Sequence, residues 1–220
     1  NANILQIENE YYSTVRPKQL LEGLEKPVLA LRRRGVRYVE LRSLDVNAYH
    51  PLGVSESQLR FLEAFMLFCL LQESPPINVQ EQREIDQNLG GVAHRGRDPA
   101  LYLIRHGREI GLKQWAGELC DAMTGVCEIL DQHRPGQPYL QSLSRQREMV
   151  EAPEQTPSAR MLAEMRQNGE GFFQFAQRLS MRHYDYFAGL SLNAERMALF
   201  QEQAQLSHEA QARLEASDDI

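Results

Sequence analysis

The stretch Tyr38–Asp45, which reads Tyr-Val-Glu-Leu-Arg-Ser-Leu-Asp, has the alternating pattern of a β-strand. Successive side chains of a strand point to opposite faces, so Tyr38, Glu40 and Arg42 are expected on one face and the aliphatic residues between them on the other. The pattern therefore predicts a strand with one apolar and one charged face.

The charged pair on this strand has two interpretations. A carboxylate and a guanidinium two positions apart project side by side from a rigid element, as a site requires if it is to hold a cation and an anionic group together. The same pair can be an exposed ion pair on an edge strand, which contributes under about 1 kcal/mol. The pattern of Glu40 and Arg42 by itself leaves both interpretations open.

A second strand and a helix are predicted before this stretch. Ile4–Tyr12 alternates between polar and apolar residues, as a strand does. Ser13–Lys18 contains Pro17, which disfavours helix at the residue before it, so we expect a turn or extended loop there. Leu20–Arg34 is a helix candidate, interrupted or restarted at Pro27, and the glycine that follows Arg34 suits its C-cap.

Most of the chain after Asp45 is predicted to be helical. Val46–Val54 is expected to be a loop, and Leu101–Ile104 at best a short strand. The helix candidates are Glu56–Gln72 with Ser55 as N-cap, Leu112–His133, Tyr139–Val150, a helix capped by Thr156 or Ser158 that ends at Gly169, Phe172–Leu190 and Ala194–Ala216. Val79–Val92, which ends in Gly90 and Gly91, is predicted as a polar helix or loop. We therefore predict an α+β fold, mostly helical with a small antiparallel β element, in two parts: residues 1–54 and residues 55–220.

Composition limits the possible partners and the compartment. A formal net charge of -6 gives no reason to expect nucleic acid as a partner. The three cysteines form no CxxC pair, which favours a reduced, cytoplasmic protein; Cys120 and Cys127 are spaced to share one helix face in a packed core. The sequence contains neither a membrane-spanning stretch nor a signal peptide. Because it begins with Asn1 and not Met, we expect a piece of something longer or a processed product.

Standard catalytic motifs are absent from the sequence: it contains no GxGxxG, P-loop, HExxH or GxSxG pattern. The six histidines show no ligand spacing. His183 lies among aromatic residues, where a core or interface role is expected, and Trp115 is interpreted as a packing anchor in a long amphipathic helix.

Several short motifs, in order, carry a family resemblance. They are Asn-Ile-Leu-Gln-Ile-Glu-Asn-Glu-Tyr-Tyr at 3–12, Arg-Pro-Lys at 16–18, the strand motif with its continuation to Asn47, and Pro-Leu-Gly at 51–53. Together they resemble the second half of bacterial glutamate-cysteine ligases of the proteobacterial type. The resemblance is close over about the first 70 residues and weak in the helical remainder apart from Ser-Ala-Arg at 158–160.

The resemblance implies a function and three site residues. The family joins the γ-carboxylate of L-glutamate to the amino group of L-cysteine, the first step of glutathione biosynthesis, with ATP and Mg²⁺ and through a γ-glutamyl phosphate. Its fold is similar to glutamine synthetase, so residues 1–54 would contribute to a curved antiparallel catalytic sheet. By position, Glu40 corresponds to a metal ligand, Arg42 to the catalytic arginine that contacts the transferred phosphoryl group, and Tyr12 to a tyrosine of the cysteine pocket.

Four further charged residues of these motifs, Glu8, Glu10, Arg16 and Lys18, are open between a functional and a structural role. In the family the remaining metal carboxylates and much of the glutamate and ATP sites come from an N-terminal half. We therefore expect a chain that is inactive alone and that pairs with that half. The alternative is a non-catalytic helical interaction or regulatory domain, which keeps the strand motif as a scaffold and uses the helices from Leu112 onward as its partner surface.

Overall fold

A two-stranded antiparallel hairpin organises the first part of the chain. In the computed structural model, which describes residues 13–217, strand β1 (Val15–Lys18) pairs with strand β2 (Tyr38–Leu41) in the register Val15↔Leu41 to Lys18↔Tyr38. The strand predicted at Tyr38–Asp45 is therefore present but shorter. The strand predicted at Ile4–Tyr12 lies outside the described residues.

The prediction of a turn or loop at Ser13–Lys18 was wrong, because this segment contains β1 despite Pro17. The hydrogen bonds explain why proline is tolerated. The Arg42 N–H donates to the Thr14 carbonyl at 2.8 Å, and hydrogen-bonded and non-hydrogen-bonded pairs alternate along antiparallel strands, so the Pro17↔Val39 pair is a non-hydrogen-bonded one. The missing N–H of Pro17 would point away from β2, and no bond of the ladder is lost.

One short helix connects the two strands. Helix α1 spans Pro27–Arg34, with proline in the first turn, so the predicted helix begins at its restart point and not at residue 20. Gly35 ends the helix with φ 74°, and its N–H donates to the Leu31 carbonyl, which confirms the predicted C-cap. Arg34 closes the connection by pairing with Glu25 at 2.6 Å and donating to the Leu20 carbonyl at 2.7 Å.

The chain divides into two compact units, Asn1–Asn47 and Ala48–Ile220. The sequence-based division lay at 54/55, in the loop that follows this boundary. Within its described residues, 48–217, the second unit contains seven α-helices: α2 (Glu56–Leu71), α3 (Val79–Arg95), α4 (Leu112–Asp131), α5 (Pro138–Glu151), α6 (Pro157–Asn168), α7 (Phe172–Ala188) and α8 (Ala194–Ser217). A 3₁₀ turn, Pro153–Gln155, leads into α6. The predicted fold class, mostly helical with a small antiparallel β element, is confirmed.

The second unit also contains a hairpin that the sequence pattern only hinted at. Strands β3 (Tyr102–Arg105) and β4 (Arg108–Gly111) are antiparallel and are joined by His106 and Gly107, both with positive φ, as a two-residue hairpin turn requires. Helix α3 packs beside it and continues through Gly90 and Gly91 to Arg95, past the predicted end. The Asn88 side chain fixes this arrangement by bonding both backbone groups of Ile104, at 2.7 and 2.8 Å.

The core of the second unit lies between α2, α4 and α5. Its buried members are Ala64, Phe68, Cys120, Met123, Val126, Cys127, Tyr139 and Leu143. Both cysteines predicted for a packed face are therefore in the core, and burial raises the pKa of the Cys127 thiol to about 11. The buried Asp131 carboxylate links α4 to α5, since it accepts the Tyr139 and Leu140 backbone N–H groups at 3.0 Å each. Across residues 13–217, no helix is both long enough and apolar enough to span a membrane.

Candidate functional site

The charged face of the β1–β2 hairpin is the candidate functional site. Directly opposite residues of an antiparallel pair share a face, so Arg16 lies across from Glu40 and Lys18 across from Tyr38 on that face. The sequence motif Arg-Pro-Lys is thereby brought onto the same surface as the Glu40–Arg42 motif. The short β-ladder fixes this proximity, because a shift of one residue would send one strand's side chains to the other face.

Glu40 is held between two cations. Its Oε1 accepts a hydrogen bond from Arg42 Nε at 3.0 Å, and its Oε2 lies 3.0 Å from Lys18 Nζ. Although 36% of the Glu40 side chain is exposed, Oε2 itself is shielded from solvent. No described group bonds Oε2 with the alignment of a hydrogen bond, so Lys18 contacts it as a nearby charge.

The two cations keep the Glu40 carboxylate ionised. The hydrogen bond from Arg42, followed by the contact with Lys18, holds the pKa of Glu40 below its ordinary value. A carboxylate that remains charged into the acid range suits the binding of a metal cation, whose ligands must be deprotonated.

The backbone positions Arg42 beside Glu40. Arg42 follows the last residue of β2, and its N–H extends the ladder by donating to the Thr14 carbonyl at 2.8 Å. At the other end of the hairpin the Arg37 N–H donates to the Lys18 carbonyl at 2.8 Å. Both cations that contact Glu40 are therefore attached to backbone that is fixed by cross-strand hydrogen bonds.

The face has more positive than negative charge among the described residues. Arg16, Lys18 and Arg42 are cations, and Glu40 is the one carboxylate within ion-pair distance of any of them in that part of the chain. An anionic group such as a phosphate is attracted to a surface of this kind.

The site also has features of a cation site, although an incomplete one. The buried Glu40 Oε2 already faces a positive charge, that of Lys18, so the donor chemistry there fits a cation. Between residues 13 and 217, however, no group of three or more His, Cys, Asp or Glu side chains could together hold a metal ion. Glu40 therefore fits Mg²⁺ as one ligand among others supplied from elsewhere.

The structure brings together two of the three predicted site residues, Glu40 and Arg42. The third, Tyr12, lies outside the described residues, as do Glu8 and Glu10, so their predicted roles stay predictions. Lys18 is one of the residues that the sequence left open between a functional and a structural role, and the structure places it beside Glu40. The pairing register of β1 with β2 would have identified it, because that register places Lys18 on the same face as Glu40. The register could not be predicted, since Pro17 disfavoured a strand at this position.

A second charged cluster lies in the other unit. Arg178 bonds Glu170 through two nitrogens at 2.7 Å each and Glu164 at 2.9 Å, and the Tyr49 hydroxyl donates to Glu164 at 3.0 Å. Arg160, from the Ser-Ala-Arg motif, lies over the Tyr49 ring at 4.5 Å. These contacts join the segment after Ala48 to α6 and α7, so we interpret the cluster as structural. His183 contributes to the same packing: its Nε2 lies 2.9 Å from the Ala48 carbonyl oxygen, which agrees with the core or interface role expected for it.

The fold has a close counterpart among solved structures. The crystal structure of a glutamate-cysteine ligase from Francisella tularensis in complex with AMP matches this chain with a TM-score of 0.87 and 37% sequence identity. The match covers 100% of this chain and 43% of that one. The class of protein to which the fold and the charged hairpin are similar is therefore an amide-forming ligase.

The particular family follows from the sequence. Residues 1–92 match the family model described as Glutamate-cysteine ligase. The glutamate-cysteine ligase of Pseudomonas paraeruginosa is 44% identical over 219 residues, 100% of this chain and 41% of that protein, and the one from Bordetella petrii is 43% identical over 222 residues, 100% of this chain and 42% of that protein. The resemblance to glutamate-cysteine ligases is confirmed, and it extends through the helical part, where we expected it to be weak. The chain spans about two fifths of the length of the curated relatives it matches.

Proposed function

We propose that this chain is the C-terminal part of an ATP-dependent ligase that joins the γ-carboxylate of L-glutamate to L-cysteine through a γ-glutamyl phosphate. The observation that carries the proposal is the arrangement of Glu40 between Arg42 and Lys18 on a hairpin whose sequence matches the ligase family. The cations Arg16, Lys18 and Arg42, all on this face, support binding of ATP phosphates and of an acyl phosphate. In such a protein the hairpin would belong to a curved sheet like that of glutamine synthetase.

Arg42 is proposed to bind the phosphoryl group during its transfer. A planar guanidinium matches phosphoryl oxygens bidentately, and its attraction grows as charge develops in the transition state. The hydrogen bond from Arg42 Nε to Glu40 at 3.0 Å fixes the plane of the guanidinium before substrate binds. Arg42 therefore needs little reorganisation when the phosphoryl group arrives.

Glu40 is proposed to have two tasks, orienting Arg42 through Oε1 and offering Oε2 to a divalent cation. When bound, Mg²⁺ would neutralise phosphate charge at this position. Tyr12 is proposed to line the cysteine pocket, on the basis of the family resemblance alone.

The proposed Mg²⁺ site requires ligands from a second part of the protein. A single carboxylate holds Mg²⁺ weakly, because the ion needs about six oxygen ligands in a near-ideal octahedron. We propose that an N-terminal portion supplies the further carboxylates and most of the glutamate and nucleotide contacts, so that this chain is inactive alone.

Release of ADP from ATP tests the proposal. The chain is assayed with Mg²⁺, L-glutamate and L-cysteine, first alone and then after addition of the separately produced N-terminal portion. We expect ADP and γ-glutamylcysteine in the mixture and neither product from the chain alone. Turnover by the chain alone would contradict the requirement for a second part, and no turnover from folded, associated parts would contradict the ligase assignment.

Replacing Arg42 by Lys in the assembled enzyme tests the bidentate role. Lysine keeps the charge but not the planar fork, so kcat is expected to fall by about 10²–10³-fold, the loss typical of a removed transition-state donor. Arg33→Lys is the matched control, because the Arg33 side chain is 69% exposed on α1 and forms a loose ion pair with Glu25 at 3.5 Å, away from Glu40. Near-normal turnover in Arg42→Lys would remove this mechanism for Arg42.

The alternative function, a non-catalytic helical interaction domain, has one observation in its favour. Helix α8 has no buried residue, and it exposes large apolar side chains that include Met197, Leu199 and Phe200. A helix of this kind suits contact with another polypeptide. The mixing experiment separates the two functions, because only the ligase releases ADP when both portions are present.

A further inference from the structure

Lys18 contacts the solvent-shielded oxygen of the Glu40 carboxylate. Its Nζ is 3.0 Å from Oε2, the carboxylate oxygen that solvent does not reach. Lys18 is diagonal to Glu40 in the strand register, whereas Arg16 is directly opposite and makes no ion pair with it. The contact therefore depends on the reach of the lysine side chain across the face.

This position has a consequence for metal binding. The Lys18 ammonium, 3.0 Å from Oε2, repels a divalent cation that approaches the same oxygen. Because Oε2 is also shielded from solvent, a cation coordinates it more readily once the Lys18 side chain has moved aside. The ammonium in this position therefore opposes metal binding at Oε2.

Once displaced from Glu40, the Lys18 ammonium can bind a phosphate oxygen of a nucleotide. Lysine carries its charge on a flexible four-carbon stem with three donors, and the Lys18 side chain is 30% exposed, so its head can move without moving β1. Any nucleotide that arrives with the metal brings phosphate oxygens to the face that already holds Arg16 and Arg42. A displaced ammonium there is within the range of these oxygens and is attracted to them.

We propose that Lys18 is a positioning residue with two partners: it neutralises Glu40 Oε2 before the metal binds, and it then moves to a phosphate oxygen of the bound nucleotide. This inference rests on the proposed ligase function and assigns a role to a residue that the motif leaves open between a functional and a structural one. It predicts effects of opposite sign on two affinities when Lys18 is removed. A lysine that only stabilises the hairpin would change both affinities in the same direction or neither.

The test uses the full-length ligase that carries this sequence, with the variants Lys18→Met, Lys18→Arg and the control Arg33→Met. Mn²⁺ affinity is measured without nucleotide, from the electron paramagnetic resonance signal of free Mn²⁺. Binding of a non-hydrolysable ATP analogue at saturating Mg²⁺ is measured by titration calorimetry. Melting followed by circular dichroism verifies that each variant is folded.

We expect Lys18→Met to bind Mn²⁺ at least about threefold more tightly, because a competing charge has been removed, and the ATP analogue about tenfold more weakly, because one charge-assisted contact is lost. Lys18→Arg should restore part of the nucleotide affinity, and Arg33→Met should change neither. Weaker binding of both ligands by Lys18→Met, or no change in either, would overturn the role of Lys18 while leaving the ligase function in place. A wild-type enzyme that neither binds the analogue nor releases ADP would overturn the ligase function and, with it, this inference.

Discussion

The two units of the chain differ in how their structure is maintained. Among the described residues 13–47 of the first unit, Ala30 alone is a buried apolar residue, whereas the second unit has a continuous core around Met123 and Cys127. The apolar face of the hairpin is largely exposed, with Val15 at 43% and Val39 at 39%. The candidate site thus lies among described residues that bury little apolar surface, where cross-strand hydrogen bonds and ion pairs determine the geometry.

The candidate site and the described core therefore lie in different units of this chain. A two-stranded hairpin is at best marginally stable in water, so the hairpin of residues 13–47 is expected to depend on further sheet partners. The second unit buries enough apolar surface between α2, α4 and α5 to maintain its own fold.

The largest effect is expected from cutting the chain at the unit boundary. Residues 48–220 should fold alone with a cooperative melting transition. Residues 1–47 should give the circular dichroism of an unfolded peptide, because Ala30 is the one apolar residue buried among the described residues 13–47. Melting curves and amide dispersion in NMR spectra check both, with the complete chain as reference. A cooperative transition in the 1–47 fragment would contradict the comparison.

Truncation of the core should affect the second unit strongly. Met123 is 1% exposed within the α2–α4–α5 cluster, so Met123→Ala is expected to lower the free energy of unfolding by about 2–5 kcal/mol. Met181, which is 54% exposed on α7, provides the matched control, and Met181→Ala should cost under about 0.5 kcal/mol. Urea denaturation measures the free energy of unfolding of both variants. Equal losses for the two variants would mean that the core around Met123 is loosely packed.

A smaller effect is expected from the junction of α4 and α5. Asp131→Ala removes the acceptor of two backbone N–H groups at the start of α5 and should cost about 1–2 kcal/mol. Asp131→Asn keeps one acceptor oxygen and should give an intermediate value in the same urea experiment. An Asn variant as unstable as the Ala variant would indicate that the charge, and not the capping bond, is what matters.

The smallest effect concerns pH and the cluster at Arg178. The hydrogen bonds from Arg178 hold the pKa of Glu170 below its ordinary value, and Glu170 in turn raises the pKa of Arg178. A carboxyl whose pKa is lower in the folded state stabilises the fold above its unfolded pKa, and this contribution disappears as the pH falls through the folded value. The melting temperature of the wild type should therefore decline more steeply below the ordinary glutamate range than that of Glu170→Gln. Parallel pH profiles would show that this ion pair adds nothing to stability.

Local sequence signals predicted much of the second unit. The predicted N-cap Ser55 of α2 is confirmed: its hydroxyl accepts the Gln58 N–H at 3.2 Å, and the structure adds a capping box, in which the Ser55 N–H donates to Gln58 Oε1 at 2.9 Å. Gly169 ends α6 with φ 63°, a conformation that favours glycine. The pair Gly90 and Gly91 was misleading as a helix end, because α3 continues through them to Arg95. The helix packs against β3, to which the Asn88 side chain bonds just before the two glycines, so tertiary contacts outweigh the low helix propensity of glycine.

Local signals in the sequence were enough to predict most helices, the two faces of the Tyr38–Asp45 stretch, and the family resemblance that identified Glu40 and Arg42 as candidates. These follow from periodicity, capping and motif order, which are local properties of the chain. The strand position of Pro17 and the contact of Lys18 with Glu40 became visible only in the folded hairpin. Strand register is a non-local property, set by which backbone groups pair across the hairpin, and neither strand specifies it alone.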